Sequence, residues 1–381
     1  MISWDANAGG PLLPKVAEHL TTSLRESWGN PSSVHQIGRR ARKRLDEARE
    51  RVAKALGASS PREIIFTGSG SEAAALAIVG AWRARKDRSK RRVVTTTIEH
   101  PCVLGAMDVI ERDGAEVVRV APGGDGAVPA EAVMAAITSD TLLCSVMAVN
   151  NETGVVQPAG ALARACTARG VLFHCDAVQA FGRLPTSLRE LPVDLLSFSA
   201  HKLGGPAGVG VLFDRRAVDV EALTPGHQEN GRRGGTQSVA FAEAAAMALE
   251  HAVATADEFT ARVTPLRDAF EREVLARLPG LTVNGAGATR VGNTSNLTFD
   301  GVDGEALLIA LDLAGICVST GAACASGSVS PSHVLLAMGL TSSQAHSTLR
   351  FSLGPDANQA QVDEVVAALV RLPPGCRAHR W

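Results

Sequence analysis

The chain has 381 residues, room for one large domain and a smaller one, with 45% hydrophobic and 20% charged residues. A formal net charge of -1 excludes the strongly basic balance of a nucleic-acid or membrane-surface binder. Seven cysteines, an odd number without C-x-x-C spacing, fit a reducing cytoplasm better than a disulfide framework.

The opening Met1-Ile2-Ser3-Trp4-Asp5 has neither a basic start nor an apolar core, so no signal peptide is expected. Apolar runs fall short of the roughly 20 residues that span a bilayer. A cytoplasmic protein with no membrane and no nucleic-acid partner is expected.

Residues 39–56 read as an amphipathic helix whose basic residues interleave with Asp46, Glu47 and Glu50 on a solvated face. Residues 63–66 form a short strand, 71–85 an alanine-rich helix, and 83–92 a basic helix end and loop. Strand patterns follow at 92–97, 116–120, 142–149, 171–175, 193–198 and 209–213, with helical stretches between several of them. Strands alternating with helices predict an α/β fold with a mostly parallel, doubly covered sheet. Residues 239–261 have long helical character. From about residue 264, helices and strands at 294–299 and 349–353 predict a smaller α+β unit. The expected division is 12–260 for the large domain, with 1–11 and 261–381 forming the small one.

Chemistry-bearing residues gather at the strand ends. Lys202, in Ser199-Ala200-His201-Lys202-Leu203-Gly204-Gly205-Pro206, ends a buried strand beside a glycine loop. Low-dielectric surroundings there favour the neutral amine that forms a Schiff base with an aldehyde. Thr67-Gly68-Ser69-Gly70-Ser71-Glu72 joins a strand to a helix, offering free N–H groups to a phosphate, with Ser71 as the expected N-cap. Asp176 stands just past a strand, where open α/β sheets bind ligands, and can hold a pyridinium proton. Gln179, three residues on, can reach a phenolic oxygen. His100, in Thr97-Ile98-Glu99-His100-Pro101, follows another strand and can stack on a flat cofactor. Asn150-Asn151-Glu152-Thr153-Gly154 is either a plain turn or a polar ligand contact. Cys144, Cys166, Cys175 and Cys317 read as buried small hydrophobes. Cys324 differs, because its small, glycine-rich neighbours in 319–328 leave a thiol accessible as a nucleophile must be.

Together these segments resemble the cysteine desulfurases of the NifS/IscS type, pyridoxal-phosphate enzymes of the class V aminotransferase fold. Trp28-Gly29-Asn30-Pro31-Ser32-Ser33-Val34-His35, residues 228–236, Pro331-Ser332-His333-Val334-Leu335 and Arg350-Phe351-Ser352-Leu353-Gly354 extend the resemblance over nearly the whole chain. It implies a PLP-dependent transferase fold of the type I aminotransferase kind, with the Cys324 loop in the small domain. It also implies pyridoxal 5'-phosphate as cofactor, linked covalently to Lys202. Asp176 is then matched to the ring nitrogen, His100 to the ring face, and Gln179 and Asn151 to the cofactor oxygen or substrate. Gly70, Ser71, Ser199 and His201 are matched to the phosphate, with Thr236 reaching it from the second subunit of a homodimer. Arg350 is matched to the substrate carboxylate and Cys324 to the sulfur of L-cysteine, which becomes a persulfide and passes to an acceptor such as an iron–sulfur scaffold protein. L-alanine is the expected co-product.

The chain departs from the family where Asp5-Ala6-Asn7-Ala8-Gly9-Gly10-Pro11 replaces Asp-x-x-Ala-Thr-Thr-Pro, losing two hydroxyls. His227 stands for a usual glycine and Gly234 for a serine. A selenocysteine or cysteine sulfinate lyase of the same fold is the alternative within enzymes. A non-catalytic sulfur-delivery subunit is the alternative from another class.

Overall fold

The computed structural model describes residues 1–26, 28–188, 191–215, 218–320 and 330–371. A short strand, β1 (Ile2–Ser3), opens the chain. Seven strands follow: β2 (Ile64–Thr67), β3 (Arg92–Thr96), β4 (Glu116–Val120), β5 (Thr141–Ser145), β6 (Leu172–Asp176), β7 (Leu195–Ser199) and β8 (Gly210–Asp214). They form one sheet in the order β2-β8-β7-β6-β5-β3-β4, in which β8 runs antiparallel to both neighbours and every other pairing is parallel.

Side chains of a strand alternate between faces, and here the alternation divides the core in two. Phe66, Val94, Cys144, Phe173, Cys175, Phe198 and Phe213 pack beneath helices Gln36–Leu56 and Ala159–Thr167 and the start of Val239–Arg277. Their neighbours Ile65, Val93, Leu143, Leu195 and Leu212 pack on the other side, against the helical stretch from Gly70 to Ala84 and helix Pro101–Arg112. Strands covered on both faces read as continuous apolar runs, which is why they are visible in the sequence.

Two expected elements differ. The strand at 142–149 ends at Ser145. Val146 and Ala148 still donate to the carbonyls of His174 and Asp176, but pairing with β3 stops at Cys144 as β3 ends and turns toward His100. The helix expected at 239–261 runs on to Arg277, straight through Pro265. Pro265 and Ala261 lie on the exposed side, so the carbonyl that loses its N–H partner faces solvent. This helix is long and apolar enough to cross a membrane by length and composition, but 61% of its most apolar window is buried inside the protein. It is a core helix.

Past its midpoint the same helix enters a second core. Phe270 meets Trp4 edge-on at 5.1 Å and Phe351 at 4.9 Å. Around them lie β9 (Leu281–Val283), β10 (Thr294–Phe299), β11 (Ile316–Cys317) and β12 (Thr348–Ser352). β12, β10 and β9 make an antiparallel sheet, and β11 pairs with β1. Residues 4–8 leave β1, bond to β12 and cross to the open end of the large sheet.

Candidate active site

The C-terminal ends of β2, β3, β6 and β7 point the same way, so the segments that follow them meet at one edge. A cavity of about 330 Å³ lies there. Lys202, Asp176, His100, Asn151, Gln179, Gly70, Ser71, Ser199, His201 and Arg350 all line it, gathered from positions up to 280 residues apart.

Lys202 closes a 3-10 turn, Ala200–Lys202, at the end of β7. The turn needs glycine behind it: Gly204 has φ +78°, and a methyl on Gly205 would sit 2.9 Å from the Ala200 carbonyl. Lys202 Nζ donates to the carbonyls of Asn7 (2.8 Å) and Ala8 (2.6 Å). Asp176, at the end of β6, accepts from the Val178 N–H at 2.9 Å. Burial pushes its carboxyl up to about 6, against the pull of that N–H and of Lys202. His100 caps helix Pro101–Arg112, its Nδ1 accepting from the Cys102 N–H at 3.2 Å. Burial, then the charges of Lys202 and His333, hold its imidazole down near 4. His100 is therefore neutral at pH 7, with its proton on Nε2 because Nδ1 accepts.

At the far end of the cavity the N-cap is Ser69, not Ser71: Ser69 Oγ accepts from the Glu72 N–H at 3.0 Å. Ser69 has the extended backbone that a cap requires, whereas Ser71 lies inside the first turn and lines the cavity. Strand β8 comes so close that a methyl on Gly210 would lie 2.2 Å from the Ser69 carbonyl carbon. Ser199 Oγ and His201 Nδ1 pair at 2.7 Å beside this loop.

Arg350, in β12, is buried and donates from Nη2 to Asp5 Oδ1 at 2.6 Å and from Nη1 to the Asn151 carbonyl at 3.0 Å. Asp5 thus occupies the guanidinium as a carboxylate ligand could. In Asn150–Gly154 the plain-turn reading holds for two residues. Asn150 Oδ1 accepts from the N–H groups of Glu152 and Thr153, and buried Glu152 receives the Ser332 hydroxyl at 2.5 Å. Only Asn151 reaches the cavity.

Sequence reasoning missed three residues. Asn7 joins both cores: its Nδ2 donates to the Asn151 carbonyl and Thr294 Oγ1, and its carbonyl accepts from Lys202 and Gln179. Cys102 lines the cavity with its thiol 3.0 Å from His100 Nδ1, and burial pushes that thiol up to about 12. Glu99 lies under the site, wholly buried, with Oε1 held by Thr96 and the Met147 N–H and Oε2 without a partner among the described residues. A charged residue inside an apolar-flanked turn was the available signal.

Burial pushes Glu99 up to about 8, so it is mostly protonated at pH 7. Its folded-state value exceeds the unfolded one, so stability falls as pH rises from about 4.5 through 8. Glu99→Gln, neutral and of the same shape, is expected to unfold within about 1 kcal/mol of the parent at pH 4, where both side chains are neutral in the folded and unfolded states. It should be the more stable of the two at pH 9. Urea titrations at both pH values check this, and a Gln variant that weakens further at pH 9 contradicts it.

The lining suits the phosphate ester of an aromatic aldehyde. It offers an amine, a buried carboxylate, a neutral imidazole and a hydroxyl-rich helix start. The Gln179 amide oxygen is buried with no hydrogen-bond partner among the described residues, as fits a contact to a polar group bound in this cavity. Thr236 is exposed and does not line this cavity in its own chain. Cys324 lies outside the described residues. Of the thiols assigned to the core, Cys144, Cys166 and Cys175 are buried, whereas Cys317 is half-exposed because β11 is a two-residue edge.

A profile of the family "Aminotransferase class-V" matches residues 2–365. A curated cysteine desulfurase of Cereibacter sphaeroides is 42% identical over 376 residues, covering 98% of this chain and 96% of that protein. Cysteine desulfurase NifS of Azotobacter vinelandii is 38% identical over 363 residues, covering 95% and 90%. Among solved structures, one titled NifS-like protein superposes with a TM-score of 0.89 at 34% identity, over 97% of this chain and 98% of that one.

Proposed function

The chain belongs to the aminotransferase class-V family, and from that premise we propose that it is a cysteine desulfurase. It takes sulfur from L-cysteine with pyridoxal 5'-phosphate and releases L-alanine. The observation that carries the reading is the meeting of Lys202, Asp176, His100 and Arg350 around one cavity with an unanswered Gln179 oxygen.

When bound, the cofactor supplies an aldehyde for amines and a ring that accepts electrons from the substrate α-carbon. The chain supplies the rest. Lys202 would hold the aldehyde covalently and, once freed by the substrate amine, would move the α-proton. Asp176 keeps a proton on the ring nitrogen. His100, neutral with its proton on Nε2, lies against the ring and donates toward the substrate. Arg350 exchanges Asp5 for the substrate carboxylate, a bidentate task suited to guanidinium. The helix start at Gly70 and Ser71, with Ser199 and His201, holds the phosphate. Cys324 takes the sulfur: the substrate Cβ–S bond breaks, a Sγ–S bond forms, and alanine leaves.

Thr236 is assigned to the phosphate of a second copy, which makes the active species a homodimer. Its exposure outside its own cavity is consistent with that role. The sulfur then passes to an acceptor, such as an iron–sulfur scaffold protein. The test is the cofactor-loaded protein with L-cysteine and a thiol reductant, sulfide and alanine being measured together. Equal production of both is expected, and a yellow protein that yields neither contradicts the reading.

A further inference from the structure

A second, smaller cavity of about 140 Å³ lies behind Lys202. Leu13, Phe181, Ala252 and Phe259 make it largely apolar, and Arg183 enters its lining. Arg183 is only 5% exposed, yet its one side-chain hydrogen bond among the described residues is a long 3.5 Å contact from Nη2 to the Ala6 carbonyl. Its Nε is buried with no partner, and no carboxylate pairs with it among those residues. Arg350 nearby keeps Asp5 to itself at 2.6 Å. Burial, reinforced by the charge of Arg350, lowers Arg183 to about 10. A guanidinium taken out of water is destabilising unless an anion answers it.

Gly10, one of the chain's two departures at residues 9 and 10, borders the same cavity, and a methyl there would meet nothing within 4 Å. A side chain at that position would occupy the space the glycine leaves. We infer that the pocket behind Lys202 is a binding site for a short-chain aliphatic carboxylate, its oxygens on Arg183 and its tail against Leu13, Phe181 and Phe259. Two parallel N–H···O bonds suit Arg183 to a carboxylate. Sulfate and phosphate lack the aliphatic tail that Leu13, Phe181 and Phe259 would cover, although Lys202, His251, Thr255 and Asn293 also line the pocket. The ligand lies next to Ala6–Ala8, the segment whose carbonyls hold Lys202, so its occupancy bears directly on the lysine.

The test is calorimetric titration of the cofactor-loaded protein with propionate, with 1-propanol and sulfate as controls. Saturable propionate binding is expected, weakened roughly tenfold or more in Arg183→Met. Arg350→Ala should retain it, which separates this pocket from the substrate cavity. Gly10→Leu adds bulk at the rim of the pocket without touching the cation, at a backbone that is not left-handed, and should weaken binding. It decides the matter if Arg183→Met does not fold. Absence of propionate binding, its undiminished survival in Arg183→Met or Gly10→Leu, or its loss in Arg350→Ala alone would overturn the inference. Sulfate binding as tightly as propionate would overturn the carboxylate assignment.

Discussion

Lys202→Ala is expected to lower L-cysteine desulfuration on the order of 10⁴-fold or more, the scale seen when a covalent nucleophile is removed. The long-wavelength absorption of a lysine-linked cofactor should vanish with it, and the cofactor should wash off on desalting. The variant should still fold. Lys202 is half-buried, and its ammonium donates to the backbone carbonyls of Asn7 and Ala8, which water entering the cavity can satisfy. Circular dichroism and thermal unfolding of the cofactor-free proteins therefore separate lost chemistry from lost structure. Turnover and the absorption band both persisting in Lys202→Ala would remove the assignment of the lysine, and with it the proposed role of the cavity.

The large sheet was legible because its signals are local. Ile64, Ile65 and Phe66 are apolar in sequence because each face of β2 meets a different core, and the same holds for β7 and β8. The site was legible for a related reason: the parallel strands of the sheet end at one edge, so Ser71, His100, Asp176 and Lys202 needed only to lie at or just past those ends in order to meet. What escaped were residues whose partners are far away in the chain. Asn7 sits in a polar segment with no periodicity, and its bonds span 144 residues to Asn151 and 287 to Thr294. The N-cap was misplaced by two positions because Ser69 and Ser71 offer the same hydroxyl, and only the backbone angles choose between them. The helix at 239–261 runs on because Pro265 lies on its solvent side, and in doing so it ties the two cores together.

Asn7 and Lys202 also show where the two halves depend on each other. Residues 4–8 are anchored to β12 through the Trp4, Ala6 and Asn7 contacts with Ser352, and then supply both carbonyls that hold Lys202. Arg350 reaches back to Asp5 on the same segment. β12 and the lysine are thereby linked through five consecutive residues.

Asp176→Asn should act with opposite signs on activity and on stability. The amide retains an oxygen for the Val178 N–H but cannot keep a ring nitrogen protonated, so turnover is expected to fall roughly 10²- to 10⁴-fold. Stability of the cofactor-free protein should rise at neutral pH. Burial moves the Asp176 carboxyl from 3.8 to about 6. The folded state thus holds this proton more tightly than the unfolded state, and stability is lost as pH climbs between those values. Above pH 6 the wild-type chain bears the full cost of a buried carboxylate, on the order of 3 kcal/mol. An asparagine carries no such charge, so the variant should resist urea better than the parent at pH 7.5, with the difference vanishing near pH 4. Addition of cofactor should reverse the order, because a protonated ring nitrogen answers the Asp176 carboxylate and meets only a neutral amide in the variant. A variant less stable than wild type at pH 7.5 without cofactor would mean that Lys202, not solvent exclusion, governs the carboxylate. The Asp176 side chain would then be part of an ion pair in the empty cavity, not a charge waiting for its partner.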